Sequence, residues 1–157
     1  MKIYFLRHGV AVEPEDWKGN DYDRPLTGDG RERMAAEAKA IRKLDLKLDA
    51  ILTSPLDRAK ETAAIVGEAL KIAPKEDERL GGDFDMSSLE AMLKGCADLK
   101  SLMLVGHEPS MSSVIGRLIG VARIDLKKGG LACVGLPDAS TMTGELLSLI
   151  PPKVLLL

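Results

Sequence analysis

The chain has 157 residues, 45% of them hydrophobic and only 3% aromatic, with a formal net charge of −2. That length is enough for one compact unit with an aliphatic core, so residues 1–157 are expected to form a single domain. The near-neutral balance provides no global basic field for nucleic acid or an anionic membrane, so any anion must be drawn by a local feature.

The first apolar run, Ile3–Leu6, reads as a short strand. Arg7 stops it at once, so it does not read as a signal peptide. Residues 11–25 are a polar, acidic loop holding the only tryptophan, Trp17. The stretch "LTGDGRERMAAEAKAIRKL" reads as a helix with Met34, Ala38, Ile41 and Leu44 on one face and Thr27 or Asp29 as its cap. "DAILTS" at 49–54 is a second strand. "PLDRAKETAAIVGEAL" is a second helix, with Ser54 as N-cap and Pro55 at its first position. Residues 71–85 are irregular and charged, with a short strand expected near Glu78–Leu80, and 87–95 fit a short helix.

"SLMLVGHEPS" is a third clear strand and turn, and "SMSSVIGRLIG" a helix. "GGLACVGLP" and "GELLSLI" follow with no helix between them, which suggests an antiparallel pair. The closing "LLSLIPPKVLLL" is short and broken by Pro151–Pro152, so it is expected to cover a core edge. No apolar stretch reaches the roughly 20 residues that span a bilayer, and a cytoplasmic location is expected. Cys96 and Cys133 lack metal-like or CxxC spacing and read as free thiols of a reducing compartment. The pattern as a whole predicts a three-layer α/β/α sandwich, with a mostly parallel central sheet and at least one antiparallel strand.

Ligands of open α/β sheets bind beyond the carboxyl ends of the strands. The first strand ends in Arg7-His8-Gly9 and the third in Gly106-His107-Glu108. The second runs through Thr53-Ser54 into a helix whose first turn holds Arg58. A lone histidine after a strand is usually structural, and a lone arginine in a first turn is usually a surface charge. The latter is mildly misplaced against the positive end of the helix dipole. Here both histidines of the chain and two arginines share one sheet edge. Guanidinium forks and a helix N-terminus suit phosphate oxygens. The nucleotide-binding loops, zinc motifs and the GxSxG elbow are absent, and no metal or other cofactor is expected. Histidine then stands as the nucleophile, since a neutral imidazole with a reference pKa of about 6.5 is available near neutral pH. Gly9, lacking a Cβ, would let the backbone lie close to the ligand.

"FLRHG", "LTSPLDRAKETA" and "VGHEPS", in this order and on these elements, resemble the histidine phosphatase superfamily, also called phosphoglycerate-mutase-like. The short length and "RPLTGDGRERM" are most similar to its SixA-type phosphohistidine phosphatase branch. The resemblance covers residues 2 to about 120 and, more weakly, the late strands. It implies that His8 is phosphorylated, that Arg7 and Arg58 clamp phosphate, and that His107 contacts the transferred phosphoryl group. Thr27 and Gly28 match a segment near the pocket in relatives, while a helix cap explains Thr27 equally well.

Many relatives carry an acid on an insertion after the second strand–helix unit. Glu78, Asp83 and Asp85 lie in the corresponding short region, and none aligns securely. Glu108 is the candidate proton donor, with setting the turn before Pro109 as its alternative role. Imidazole leaving from phosphohistidine is protonated near pH 6.5, roughly, against about 15.7 for bulk water as a guide to an alkoxide, so it needs far less acid help.

The expected partner is therefore a phosphohistidine-bearing protein or a small phosphorylated substrate, with no nucleic acid and no membrane. The acidic loop 13–23 is a candidate border of the site. Hydrolysis of small phosphomonoesters or phosphosugars is the alternative, and a non-catalytic phosphoprotein-binding module is the reading from a different class. The short chain and the missing Ser and Trp-Asn pattern argue against a mutase.

Overall fold

The structure, a computed structural model, describes residues 1–157. In chain order the strands are β1 (Lys2–Arg7), β2 (Ala50–Thr53), β3 (Lys75–Glu76), β4 (Ser101–Gly106), β5 (Leu131–Gly135) and β6 (Glu145–Ile150). They form one sheet in the order β3-β2-β4-β1-β5-β6. The first four pair in parallel, and β5 and β6 are antiparallel to their neighbours. The helices are α1 (Gly28–Lys43), α2 (Asp57–Leu70), α3 (Met86–Lys94), α4 (Ser110–Ile119) and the single turn α5 (Pro152–Leu155).

Side chains alternate across a strand, and β1 and β4 are buried on both faces. Ile3, Phe5, Leu102 and Leu104 pack with Leu89, Leu93, Val114 and Ile115 of α3 and α4. Tyr4, Leu6, Met103 and Val105 pack with Met34, Ala38, Ala63 and Val66 of α1 and α2. Two aliphatic cores thus sandwich the sheet, giving the three-layer, mostly parallel α/β/α fold that the alternation predicts. Leu155 of α5 packs against the second core, so the carboxyl-terminal segment covers an edge as expected. Cys96 and Cys133 are free thiols, and no helix is long and apolar enough to cross a membrane.

Local starts and stops differ from the sequence expectation in four places. Thr27 caps α1 by accepting from the Gly30 amide (2.9 Å), and Met34, Ala38 and Ile41 are buried. Leu44, however, follows the last helical residue and is 44% exposed. Ser54 is not the N-cap of α2, and Pro55 is not its first residue. The Ser54 amide still bonds the Val105 carbonyl of the neighbouring strand (2.9 Å), so the chain leaves the sheet late. Leu56 is the N-cap and α2 begins at Asp57. The strand expected near Glu78–Leu80 is Lys75–Glu76 instead. The Asp77 amide makes the last bond to β2, at the Thr53 carbonyl, and its carboxylate then caps a 3-10 turn over Glu78–Leu80.

The topology places the site. β1 and β4 are neighbours, yet α1 after β1 covers one face and α4 after β4 the other. Adjacent parallel strands whose following helices diverge leave a crevice at their carboxyl ends. His8 and His107 are the first residues beyond Arg7 and Gly106, the last paired residues of these strands.

Candidate active site

The β1–β4 ladder extends one bond past the strands. The His8 amide donates to the Gly106 carbonyl at 3.0 Å, which sets His8 beside His107. Their ring centroids are 5.2 Å apart, tilted by 54°. Both are buried, 7% and 5% exposed.

Nδ1 of His8 lies 2.7 Å from the Gly9 carbonyl oxygen. A carbonyl only accepts, so Nδ1 carries the hydrogen and Nε2 keeps its lone pair. Burial lowers the His8 pKa to about 3, against the raising effect of its hydrogen bond to the Gly9 carbonyl, with His107, Arg58 and Arg7 adding to the depression. His107 is lowered to about 4, by burial first and Arg58 next. Both rings are neutral at pH 7, and a neutral imidazole is the nucleophilic form.

His107 points Nε2 at the Ser54 hydroxyl, 2.7 Å away, and its Nδ1 is buried without a partner. The Ser54 hydroxyl accepts from the Leu56 amide (3.2 Å), so the residue just after β2 orients the second imidazole.

Arg58 sits in the first turn of α2, 7% exposed. Its Nη1 donates to the Asp21 carbonyl (2.9 Å) and Nη2 to the Asp21 carboxylate (3.2 Å). Burial depresses the Arg58 pKa and Asp21 opposes that. Arg24 foremost, with help from Arg58, holds the Asp21 carboxyl below the usual carboxylate range against the opposing effect of burial. The 13–23 loop therefore borders the site, through Asp21. On the opposite side Arg7 Nη1 donates to the Leu126 carbonyl (3.0 Å).

Nε of Arg7, Nε of Arg58 and Nδ1 of His107 are three of the five buried side-chain polar atoms without a partner. Buried polar groups are nearly always paired, so three orphans on the predicted set mark a place that an oxyanion would complete.

The other candidates stand differently. Gly9 faces the α1 packing: a Cβ there would meet Met34 Sδ at 3.2 Å, and its amide donates to the Thr62 hydroxyl (3.1 Å). Its small size serves that packing. Thr27 caps α1 and bonds the Val10 carbonyl through its amide (3.0 Å), and Gly28 opens the helix with free space around it. Glu108, the candidate proton donor, accepts from the Ser112 amide (3.0 Å) with one oxygen and from the Ser112 hydroxyl with the other. That arrangement ties the first turn of α4 and uses Glu108 as an acceptor. Asp85 caps α3 by accepting from the Ser88 amide (2.8 Å).

The family model described as histidine phosphatase superfamily (branch 1) matches residues 3–94. The chain belongs to the histidine phosphatase superfamily. Among relatives, an uncharacterised protein of Picosynechococcus sp. is 34% identical over 99% of both chains. Phosphohistidine phosphatase SixA of Escherichia coli K12 is 25% identical over 75% of this chain and 74% of its own. Among solved structures, the protein histidine phosphatase SixA complexed with tungstate superposes with a TM-score of 0.87 over 98% of both chains at 22% identity. The α-ribazole phosphatase of Shigella flexneri gives 0.73 over 97% of both at 20% identity. At these identities the structural likenesses show the fold.

Membership of the histidine phosphatase superfamily supports a phosphatase activity and a phosphorylated substrate. Four contacts at the candidate site lie outside the predicted site residues: Asp21, Ser54, Thr62 and the Leu126 carbonyl. Thr62 donates to the Arg58 carbonyl (2.8 Å) while accepting from Gly9, so it staples the first turn of α2 to the end of β1. The one available sequence signal was "DRAKET", which places Thr62 one helical turn after Arg58.

Proposed function

We propose that this chain hydrolyses phosphohistidine on another protein by way of a phosphorylated His8. The observation that carries the proposal is the Nδ1 bond of His8 to the Gly9 carbonyl, which leaves Nε2 unprotonated among three partnerless buried N–H groups or ring nitrogens. In the first step the Nε2 lone pair attacks phosphorus. The new N–P bond forms as the substrate's N–P bond breaks, and the leaving imidazole takes a proton from water. In the second step a water oxygen attacks phosphorus, the His8 N–P bond breaks, and the water's proton is released with phosphate.

Arg7 and Arg58 bind the phosphoryl oxygens, and a Ser54 hydroxyl donating to His107 Nε2 puts the hydrogen of His107 on Nδ1, ready for a third oxygen. These steps draw on no metal. Glu108 is not needed as an acid for so good a leaving group. The SixA likenesses in sequence and fold support this substrate, and the free thiols fit a cytoplasmic setting.

Small phosphomonoesters are the second reading, favoured by the likeness to the α-ribazole phosphatase fold. A binding module alone would leave the fixed tautomer of His8 without a purpose.

The test is to incubate the protein in EDTA with a phosphohistidine protein and, separately, with an aryl phosphate. Acid-labile phosphate on the protein, abolished in His8→Ala, is expected, with faster turnover of the phosphohistidine protein. No phosphoenzyme from either substrate would overturn the mechanism, and a clear preference for the small ester would select the second reading.

A further inference from the structure

Beside Arg7 the surface opens into a shallow cavity of about 350 Å³ between the first turn of α4 and residues 122–126. A second cavity of about 240 Å³ lies on the other flank of that turn. The two adjoin across Pro109 and Ser113 as a shallow groove interrupted by the start of α4, and Arg7 lines the larger of them.

The charges along it are unequal in a useful way. Its carboxylates are engaged: Glu108 by Ser112, Asp85 by the Ser88 amide, and Asp125 by Lys127 at 2.7 Å. Its two exposed cations, Arg117 and Arg123, one toward each end, make no ion pair. A protein of net charge −2 thus presents two guanidiniums outside any ion pair along the cavities that lead to Arg7, with Arg117 near enough to Asp85 to help lower its carboxyl. Guanidinium forks favour carboxylates, and hydroxyl-bearing Ser113 between them suits an extended backbone.

We propose that this groove holds an acidic segment of the phosphorylated protein, its carboxylates on Arg117 and Arg123, while the adjoining phosphohistidine reaches Arg7 and His8. The inference rests on the phosphohistidine substrate proposed above and adds what the protein reads around it. A small phosphorylated molecule reaches only the end of this groove, so the two arginines discriminate among protein substrates.

The test uses two labelled, unphosphorylated peptides that differ only by Glu against Gln at the flanking positions, and follows their binding by fluorescence anisotropy at low salt. The acidic peptide is expected to bind at least tenfold more tightly. That preference should shrink to under twofold in R117E/R123E and fall with added salt. A charge-neutral pair, R117Q/R123Q, repeats the measurement if the reversed pair is poorly folded.

Equal affinity of the two peptides for the native protein, or an undiminished preference in either variant, would overturn the groove assignment. Hydrolysis of the phosphohistidine protein is scored separately. If it is absent while the acidic preference stands, the proposed substrate fails and the groove as an acidic-segment site survives.

Discussion

The two walls of the pocket hold their arginines by different means. On one wall Asp21 meets Arg58 with both a carboxylate and a carbonyl. On the other, Arg7 rests on the Leu126 carbonyl alone. A carboxylate competes with phosphate for a guanidinium, whereas a neutral carbonyl orients the fork and leaves its charge free. The wall with Arg58 also bears harder on the histidines, since Arg58 ranks ahead of Arg7 in depressing both rings. On the proposed reading Arg7 is ready to bind phosphate, while Arg58 would exchange one anion for another.

Removing the clamps outright is the largest perturbation. Arg7→Ala and Arg58→Ala should each lower kcat/KM about 100-fold or more, in line with roughly 3 kcal/mol for a lost electrostatic donor. Steady-state kinetics on an aryl phosphate would show it, and a near-native rate for either variant would remove that wall from the site.

Acid is the next lever. Both histidines have folded pKa values, about 3 and about 4, below the reference of 6.5. The unfolded chain therefore binds more protons in this window, and stability falls as pH drops from 6.5 toward 4. His107→Asn should flatten that fall in thermal unfolding, and an unchanged slope would mean that the ring is not held neutral by its surroundings.

Asp21→Asn keeps the carbonyl contact and removes the competing charge. Inorganic phosphate should then inhibit several-fold more strongly, about 1 kcal/mol, and a weaker phosphate would show that Asp21 orients Arg58 more than it opposes the ligand.

The smallest effect concerns the far side of the second wall. Gly129, three residues beyond Leu126, donates its amide to the carbonyls of Arg7 and His8 (3.1 and 3.2 Å) at φ +77°. The Glu37 carboxyl packs against it so closely that a Cβ at position 129 would lie 2.3 Å from Oε2. Burial raises Glu37 from 4.5 to about 7, with Arg33 opposing, and its buried Oε2 has no partner. The folded state thus prefers the protonated acid. That contribution is complete below pH 4.5 and is lost as pH rises through 7. Glu37→Gln should unfold about 3 °C higher than the native protein at pH 8, corresponding to about 1 kcal/mol, and little higher at pH 5.

Arg7, His8, Arg58 and His107 were legible because strand ends and a first helical turn fix where a side chain lies relative to the sheet edge. The three-layer fold was legible from strand–helix alternation and from the two apolar faces of β1 and β4. Ser54 was visible but misread, since a serine before a proline and an apolar helix fits a cap as well as a brace for a histidine 53 residues away. Asp21 was lost among the acids of its loop. The Leu126 carbonyl could not be read at all, because a backbone acceptor carries no residue signature. At Gly9 the structure adds a packing reason for the glycine, since a Cβ there would press on Met34.

The neighbouring placement of His8 and His107 has a consequence for how the protein comes into being. The site joins the ends of β1 and β4, and the one side-chain hydrogen bond of Arg7 goes to residue 126. During synthesis the first histidine leaves the ribosome about a hundred residues before its companion, at a pace of roughly 5–20 residues per second. Until β4 pairs beside β1, the nascent chain carries a nucleophile with no second imidazole beside it. On the proposed mechanism turnover requires this long-range pairing, so activity would report that β1 and β4 have joined.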